Sequence, residues 1–217
     1  MSIFIQMQLN ERLYLKNPQD TKLGKKIIQY SIILIDEIGF EAFTFKKLAE
    51  RINSTEASVY RYFENKHRLL VYLLCWYWEW MKFHIDYNTM NIEDPKQKLK
   101  IAISAIVDTS RRNTSIQFVV AEATKAYHTK QVDEENKEGF FLTYKSLAKR
   151  IAKIIKEVNP DYAYPRALAS TLLEMANNHI YFAQHLPSLT DIEVKEGDLS
   201  QVEELLEDFA FGLLIRD

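Results

Sequence analysis

The sequence predicts an all-α fold of about nine helices, in which a short N-terminal helical domain is joined by a long helix to a larger helical domain. Apolar residues recur every three or four positions in most of the chain, which is the spacing of one helix face. Only 5 Gly and 5 Pro occur in 217 residues, so few positions require a helix to end. A content of 47% hydrophobic and 27% charged residues is typical of a folded protein with an apolar core.

The chain is predicted to begin with an arm and a first helix. Ile3, Ile5, Met7 and Leu9 alternate with other residues as in a strand, and Pro18 interrupts any helix in the stretch 1–21. We expect an arm that packs on the body, is disordered, or extends as a basic tail. From residue 22 the apolar spacing becomes helical. A helix over 22–38 is predicted to end at Gly39, because glycine adopts the positive φ of a helix C-terminus.

Two short helices joined by a tight turn are predicted to follow. Thr44 is expected to cap a helix over 45–52, and Thr55 is expected to cap a third helix over 56–62. The turn between them contains Asn53, a residue type that tolerates left-handed backbone. Two short helices at this spacing, braced by a first helix, are typical of a helix-turn-helix.

Six further helices are predicted after this motif. They are expected over residues 65–87, 96–110, 115–127, 134–158, 165–185 and 200–215. The longest apolar run, ten residues from Leu69 to Trp78, is shorter than the roughly 20 residues of a membrane span, so we predict a buried helix there. Ser200 and Glu203 have the spacing of a capping box at the start of the last helix.

The third helix carries side chains that suit contact with the major groove of DNA. Its buried side is predicted to consist of Val59 and Phe63. The side chains left exposed are predicted to be Glu56, Ala57, Ser58, Arg61 and Tyr62. Small residues near the helix start allow close approach to base edges in a groove about 12 Å wide.

Three consecutive cations, Lys66, His67 and Arg68, lie in the first turn of the predicted fourth helix. The helix dipole makes each cation there unfavourable by about 0.3–1 kcal/mol. A bound DNA phosphate would offset this cost, because the same helix terminus offers free amide groups. The alternative is that these surface positions are simply tolerated.

The stretch from Thr44 to Leu70 resembles the tetracycline-repressor (TetR) type of bacterial transcriptional regulator. The similarity is carried by Thr44, Leu48, Ala49, Thr55, Ala57, Ser58, Val59, Tyr60, Tyr62, Phe63, Lys66 and Leu69. It implies that Tyr60 and Lys66 hold backbone phosphates and that Ser58 and Tyr62 lie at or near bases. Two residues depart from the pattern: Asn53 stands where glycine is usual, and Glu56 is an acid that could accept from cytosine N4 or repel phosphate.

The motif and the resemblance together give a set of expected DNA-binding residues. These are Thr44, Lys46, Thr55, Glu56, Ala57, Ser58, Tyr60, Arg61, Tyr62 and Lys66. The expected partner is a double-stranded DNA operator, and the basic arm could follow a groove. The corresponding domains are the arm at 1–21, a DNA-binding domain at 22–70 and an effector-binding and dimerisation domain at 71–217.

The resemblance also implies a homodimer formed mainly through the last two helices, and a ligand that changes the separation of the two DNA readers. Such a protein is expected to be a repressor that a small molecule releases from a pseudo-palindromic operator. Small residues recur seven apart at Ala169, Ala176 and Ala183, and Leu205 and Phe209 lie on an apolar side of the last helix. A purely intramolecular core is the alternative explanation of both patterns.

A hydrophobic or aromatic effector is expected, because the aromatic side chains of the fourth helix lie on more than one face and cannot all enter one core. The candidate ligand-binding residues are Trp76, Trp80, Phe83, Phe118, Glu122, Phe141, Tyr144, Asn178 and His179. Aromatic stripes also form ordinary cores, so an interior without a ligand is the alternative.

An enzyme is not expected, because the five His are scattered at 67, 84, 128, 179 and 185 and no Gly-rich phosphate loop is present. We therefore predict no catalytic residue, metal or cofactor. The single Cys75 and the lack of a signal-peptide pattern favour a cytoplasmic protein. Residues 1–70 carry a net charge of +3 and residues 71–217 carry −5. This small asymmetry and Glu56 leave open a helical ligand-binding or interaction protein that has lost DNA binding.

Overall fold

The computed structural model describes residues 7–112, 134–194 and 197–215, with side chains described outside 110–141. The regular secondary structure of these residues consists of α-helices and short 3-10 helices, and it contains no strand. The eight α-helices are α1 (Lys22–Ala42), α2 (Phe45–Arg51), α3 (Glu56–Tyr60), α4 (Lys66–Thr89), α5 (Pro95–Arg112), α6 (Glu134–Val158), α7 (Pro165–His185) and α8 (Ser200–Leu214). The predicted all-α fold class is confirmed, and the predicted helix over 115–127 lies outside the described residues.

The chain forms two compact units. The first comprises Met1–Trp80 and Thr114–Tyr144, and the second comprises Met81–Asn113 and Lys145–Asp217. Helix α4 begins in the first unit and ends in the second. The predicted domains 1–21, 22–70 and 71–217 stay a prediction.

Helix α1 has a kink at Gly39, where φ is 76° and ψ is 158°. This backbone conformation strongly favours glycine, because a side chain would be strained there. The positive φ predicted for Gly39 is therefore confirmed, but one more helical turn follows it. That turn ends at Ala42. It carries the buried Phe40, and Phe43, the C-cap residue that follows it, is buried as well.

The turn between α2 and α3 has the form of a Schellman motif. Asn53 has a φ of 52°, as the sequence predicts. The Ser54 amide donates to the carbonyl oxygen of Ala49 at 2.9 Å, and the Asn53 amide donates to that of Glu50 at 3.3 Å. These bonds satisfy carbonyl groups at the end of α2 and fix the direction in which α3 leaves the turn.

The N-terminal arm packs on the first unit from Met7 onwards. Leu13 is 2% exposed, and the Gln19 side chain both accepts from the Met7 amide at 2.8 Å and donates to the Met7 carbonyl at 2.9 Å. Gly24 is required here, because a Cβ at that position would lie 2.2 Å from the Pro18 carbonyl oxygen. Of the three alternatives for the arm, residues 7–20 adopt the packed one.

The second unit is a helical core closed by α8. The apolar stripe predicted for α6 is buried at Leu147, Ile151, Ile154 and Ile155. Its helix end is tied to α8, because the Asn159 side chain donates to the carbonyl oxygen of Leu214 at 2.9 Å.

The capping box predicted at the start of the last helix is wrong. Leu199 occupies the N-cap position, and the Ser200 amide instead bonds to the Asp198 carboxylate at 2.9 Å. Glu203 accepts from the Ser104 hydroxyl at 3.2 Å, so its carboxylate serves a contact with α5. Among the helices in the described ranges, none is both long enough and apolar enough to cross a membrane.

Candidate nucleic-acid interface

Helix α3 is held in place by its buried side and by its cap. Val59 and Phe63 are 0% exposed, as predicted. The Thr55 hydroxyl accepts from the Ser58 amide at 3.3 Å and lies 2.8 Å from the Ser58 hydroxyl. Thr55 therefore fulfils the capping role that the sequence predicts, and Ser58 is turned back towards the cap.

The opposite side of α3 is open to solvent. Glu56, Ala57 and Arg61 are exposed, and Tyr60 is 47% exposed with its ring edge-on to Phe45 at 4.9 Å between centroids. This face combines a carboxylate, a methyl group, a guanidinium and a phenol. Its side chains are small at the start of the helix and longer further on, which would allow the helix start to approach base edges in the major groove.

Tyr62 does not belong to this exposed face, and its predicted exposure is wrong. The residue is 4% exposed, and its hydroxyl lies 2.7 Å from the Thr21 hydroxyl at the start of α1. The ammonium of Lys16 lies 5.4 Å from the centroid of the Tyr62 ring. The backbone carbonyl oxygen of Tyr62 accepts from the Leu15 amide at 2.8 Å. Because α3 ends at Tyr60 rather than at residue 62, the chain turns and directs this side chain into the domain.

Lys66 is also engaged within the protein. Its ammonium donates to the carbonyl oxygens of Phe40 at 3.1 Å, Glu41 at 3.2 Å and Phe43 at 3.4 Å, and lies 4.7 Å from the Phe40 ring centroid. The end of α1 presents negative partial charge, which favours a cation. The compensation that we expected from DNA phosphate is thus provided by the end of α1.

His67 and Arg68 in the same turn also have contacts within the protein. His67 packs edge-on to Phe40 at 5.3 Å between ring centroids. Arg68 donates to the Arg12 carbonyl oxygen at 3.0 Å and lies 3.7 Å from the Glu64 carboxylate. The contacts of Lys66 with the end of α1 and of Arg68 with Arg12 join residues that are far apart in the sequence, whereas the Arg68–Glu64 pair is local.

Two exposed cationic side chains remain on the α2–α3 surface without a side-chain hydrogen bond or ion pair to any residue that the structure describes. They are Lys46 and Arg61. Lys47 instead donates to the Ala42 carbonyl at 2.8 Å, and Arg51 pairs with Glu37 at 2.7 Å. Thr44 is exposed, and its hydroxyl caps α2 by accepting from the Lys47 amide at 3.2 Å.

The predicted ligand-binding residues are divided between the two units. In the first unit, Trp76 and Trp80 are half-buried and stacked, with centroids 5.7 Å apart and planes at 9°. Tyr144 lies edge-on to Trp78 at 5.1 Å. The indole nitrogen of Trp76 is buried and has no hydrogen-bond partner within the described residues. Phe118 and Glu122 lie outside the described residues, as does the side chain of Phe141.

The remaining ligand candidates belong to the second unit. Phe83 stacks on Tyr87 with centroids 6.0 Å apart. His179 is hydrogen-bonded through Nδ1 to the Thr190 hydroxyl at 3.1 Å. Asn178 is exposed on α7, so its predicted position in an interior pocket is wrong. The helical spacing correctly placed Asn178 on α7, but it did not predict which side of that helix faces solvent.

The predicted dimer residues separate into two groups. Ala169 and Ala176 are 0% exposed within the single chain, where α7 packs on α5 and α8, so an interface role for them is wrong. Ala183 and Leu205 are half-buried, and Phe209 is 37% exposed. The seven-residue spacing of alanines marks a closely packed face, but this face is turned towards the subunit's own core.

No group of three or more metal-ligating side chains occurs in the part of the chain that the structure describes. Cys75 is fully buried, and burial raises the pKa of its thiol to about 12, with a smaller opposing effect from Thr143. A thiol in this environment is a poor nucleophile at neutral pH.

The two short helices and their tight turn form a helix-turn-helix motif, and α3 is its exposed second helix. Residues 27–73 match the family model for bacterial regulatory proteins of the tetR family. Over this stretch the chain is similar to regulatory proteins of that family. The match begins inside α1 and ends inside α4.

Solved structures of the same fold extend over most of the chain. A tetR-family regulatory protein from Rhodococcus RHA1 is 15% identical with a TM-score of 0.71, over 91% of this chain and 100% of that chain. FadR from Bacillus subtilis in complex with stearoyl-CoA is 16% identical with a TM-score of 0.67, over 86% and 96%. AibR in complex with isovaleryl coenzyme A and operator DNA is 14% identical with a TM-score of 0.62, over 88% and 97%. Comparison with curated proteins finds no match.

Proposed function

We propose that the protein is a homodimeric repressor that occupies a pseudo-palindromic operator and is released from it by a small apolar ligand. The observation that carries this proposal is the open face of α3, which is held in place by its cap and its buried side, while the side chains of Glu56 and Arg61 on its outer side form no hydrogen bond or ion pair with any described residue. A two-fold symmetric dimer presents two such faces. The two half-sites of its operator would therefore be separated by one or more turns of the DNA helix, each about 34–36 Å long.

Helix α4 is proposed to carry the ligand signal. It runs without a break from Lys66 to Thr89 and is attached at both ends. At its start Lys66 contacts the end of α1, and near its end Asp86 and Thr89 bind the Arg150 guanidinium. A ligand that prefers one arrangement of this helix would alter the spacing of the readers, because only differential affinity shifts a conformational equilibrium.

The ligand is proposed to be hydrophobic or aromatic. Stacked Trp76 and Trp80 offer a half-buried apolar surface, and the Trp76 indole N–H, which has no partner among the described residues, offers one hydrogen-bond donor. The AibR and FadR structures contain isovaleryl coenzyme A and stearoyl-CoA respectively. Acyl-CoA esters are therefore the first ligands to test, followed by aromatic carboxylic acids of similar acyl size.

The dimer is proposed to use the outer sides of α7 and α8. Tyr181 is 47% exposed, Phe209 37% and Ile215 46%, and these apolar side chains lie on these two helices or at their ends. The exposed Gly212 on α8 would allow a partner helix to approach closely, because no described residue outside its own helix backbone lies within 4 Å of an added Cβ.

Selection of genomic DNA fragments with the purified protein tests the DNA-binding part of this proposal. We expect enrichment of fragments that share a two-fold symmetric motif, followed by release when the matching ligand is added. A protein that has kept the fold but lost DNA binding would enrich no common motif while still binding apolar ligands. Operator binding on the bacterial chromosome also implies action in the cytoplasm.

A further inference from the structure

Glu56 is the one long polar side chain among the first three residues of α3. Ala57 next to it is exposed but ends in a methyl group, and the Ser58 hydroxyl is directed back to Thr55 at 2.8 Å. The Glu56 carboxylate is exposed and forms no hydrogen bond or ion pair with any residue that the structure describes. It is therefore the first charged group that α3 would present to a groove.

The helix itself does not require this acid. The cap of α3 is supplied by Thr55, whose hydroxyl accepts from the Ser58 amide at 3.3 Å. A carboxylate facing DNA is repelled by a polymer that carries one negative charge per about 1.7 Å of its axis. An acid at this position therefore weakens DNA binding unless a donor on a base edge meets it.

The chemistry of the groove identifies that donor. A carboxylate is an acceptor only, and the donors in the major groove are the amino groups of cytosine and adenine. Adenine places its N7 acceptor beside the amino group, where it repels a carboxylate, whereas cytosine presents N4 alone. Guanine and thymine present acceptors at this edge and would be rejected.

We propose that Glu56 is a specificity-determining residue that accepts a hydrogen bond from the exocyclic amino group of a cytosine in each half-site. This inference rests on the proposed operator binding, since a groove contact requires a bound duplex. It assigns to this chain a base preference that the carboxylate would enforce by attraction to cytosine and by repulsion from the other three bases.

The test is selection from random duplex DNA with the full-length wild type and with Glu56→Ala. The wild type is expected to prefer cytosine at one position per half-site, and Glu56→Ala is expected to lose that preference while keeping the other positions. The cytosine is then replaced by pyrimidin-2-one, which lacks the amino group. The wild type should lose about five- to hundredfold in affinity, and Glu56→Ala should change less than about twofold.

Glu50→Ala is the matched control, because Glu50 is an exposed acid on α2 and its loss changes net charge equally. It should keep the cytosine preference. Glu56→Gln provides a second variant of nearly the same shape, and it should relax the preference because its amide can also donate.

The inference is overturned if Glu56→Ala selects the same motif as the wild type and binds every sequence more tightly, since the carboxylate would then only repel phosphate. Failure of the proposed function looks different. In that case the wild type itself enriches no symmetric motif, which overturns both the operator binding and the role of Glu56.

Discussion

The ammonium nitrogen of Lys66 lies 3.1 Å from the carbonyl oxygen of Phe40 and so joins the first turn of α4 to the last turn of α1. The Gly39 kink makes this contact possible, because it redirects the final turn of α1. The cation thereby meets the negative end of one helix while it sits at the positive end of another. The helix proposed to carry the ligand signal is thus fixed to the helix that supports the reader.

The first prediction concerns Lys66→Met, which keeps most of the side-chain length and removes the ammonium. We expect the free energy of unfolding to fall by about 1–2 kcal/mol, because partly buried carbonyl groups lose their donor. Urea denaturation measures this change. The slope of log DNA affinity against log salt concentration should stay unchanged. In the wild type the Lys66 ammonium already donates to three carbonyl oxygens and is therefore not available to a DNA phosphate.

The matched variant is Lys46→Met, which removes an exposed cation of α2. It should leave stability unchanged and reduce the slope of log affinity against log salt by about one. If Lys66→Met instead reduced that slope by about one without loss of stability, the ammonium would bind phosphate in the complex and the contact with α1 would be incidental.

The second prediction compares two tyrosine hydroxyl groups in the first unit. The hydroxyl of Tyr72 is buried and has no described partner within hydrogen-bonding geometry. The Gln19 side chain lies close enough to lower the pKa of Tyr72 slightly, but it is bonded to the Met7 backbone. Burial raises the pKa of Tyr72, which fits a hydroxyl that is poorly solvated. Tyr72→Phe should therefore leave the unfolding free energy unchanged or raise it by up to about 1 kcal/mol.

Tyr62→Phe is the control, because its hydroxyl does have a partner at Thr21, 2.7 Å away. Removal of that bond should lower the unfolding free energy by about 1 kcal/mol. Thermal or urea unfolding of both variants measures the difference. Equal destabilisation by the two substitutions would mean that Tyr72 also has a hydrogen-bond partner in solution.

The third prediction concerns pH. Burial raises the pKa of Cys75 to about 12 in the folded protein, above the ordinary value of 9.0. The folded state therefore binds this proton more tightly, and its contribution to stability is present below pH 9 and is lost as pH rises towards 12. Between pH 8 and pH 10 the wild type should lose about 1.4 kcal/mol more stability than Cys75→Ala.

Urea unfolding at several pH values tests this difference. The substitution itself lowers the unfolding free energy of Cys75→Ala by the same amount at every pH, so it does not affect the change in stability between two pH values. Reaction with iodoacetamide at neutral pH provides an independent check, and the native thiol should be labelled only after unfolding. Identical pH dependence in wild type and variant would contradict the assigned burial of Cys75.

The fourth prediction concerns Gly212 in α8. Replacement by alanine should raise the stability of the isolated subunit by about 0.5–1 kcal/mol, because glycine weakens a helix interior and the new Cβ has open space. If a partner helix crosses here, Gly212→Ala should weaken dimer association and Gly212→Arg should prevent it. Sedimentation equilibrium measures association, with Lys149→Ala on the exposed side of α6 as control. Unchanged association in Gly212→Arg would place the dimer contact elsewhere.

Short-range features of the chain could be predicted because the information lies within a few residues. The bounds of α6 and α7, the positive φ of Asn53 and the caps at Thr44 and Thr55 all depend on local periodicity and hydrogen bonding. The match to the family model likewise covers the stretch in which these signals are densest.

Long-range partners could not be predicted in the same way. The contact between Lys66 and Phe40 joins residues that are 26 positions apart, and the bond between Tyr62 and Thr21 spans 41. Helical spacing placed Ala169 and Ala176 on one face correctly, but spacing does not tell whether that face meets the subunit's own core or a second copy. Only the packing of α7 on α5 and α8 decides this.

The measurement that tests the central claim most directly is the affinity of Ala57→Trp for the selected operator, compared with the wild type by fluorescence anisotropy. Ala57 is exposed in the first turn of α3, so a large side chain should leave the fold intact but block entry into the groove. Ala163→Trp, at an exposed position before α7, is the control. We expect a loss of tenfold or more for Ala57→Trp alone. Wild-type affinity in Ala57→Trp, with an unchanged unfolding free energy, would contradict the assignment of α3 as the DNA reader.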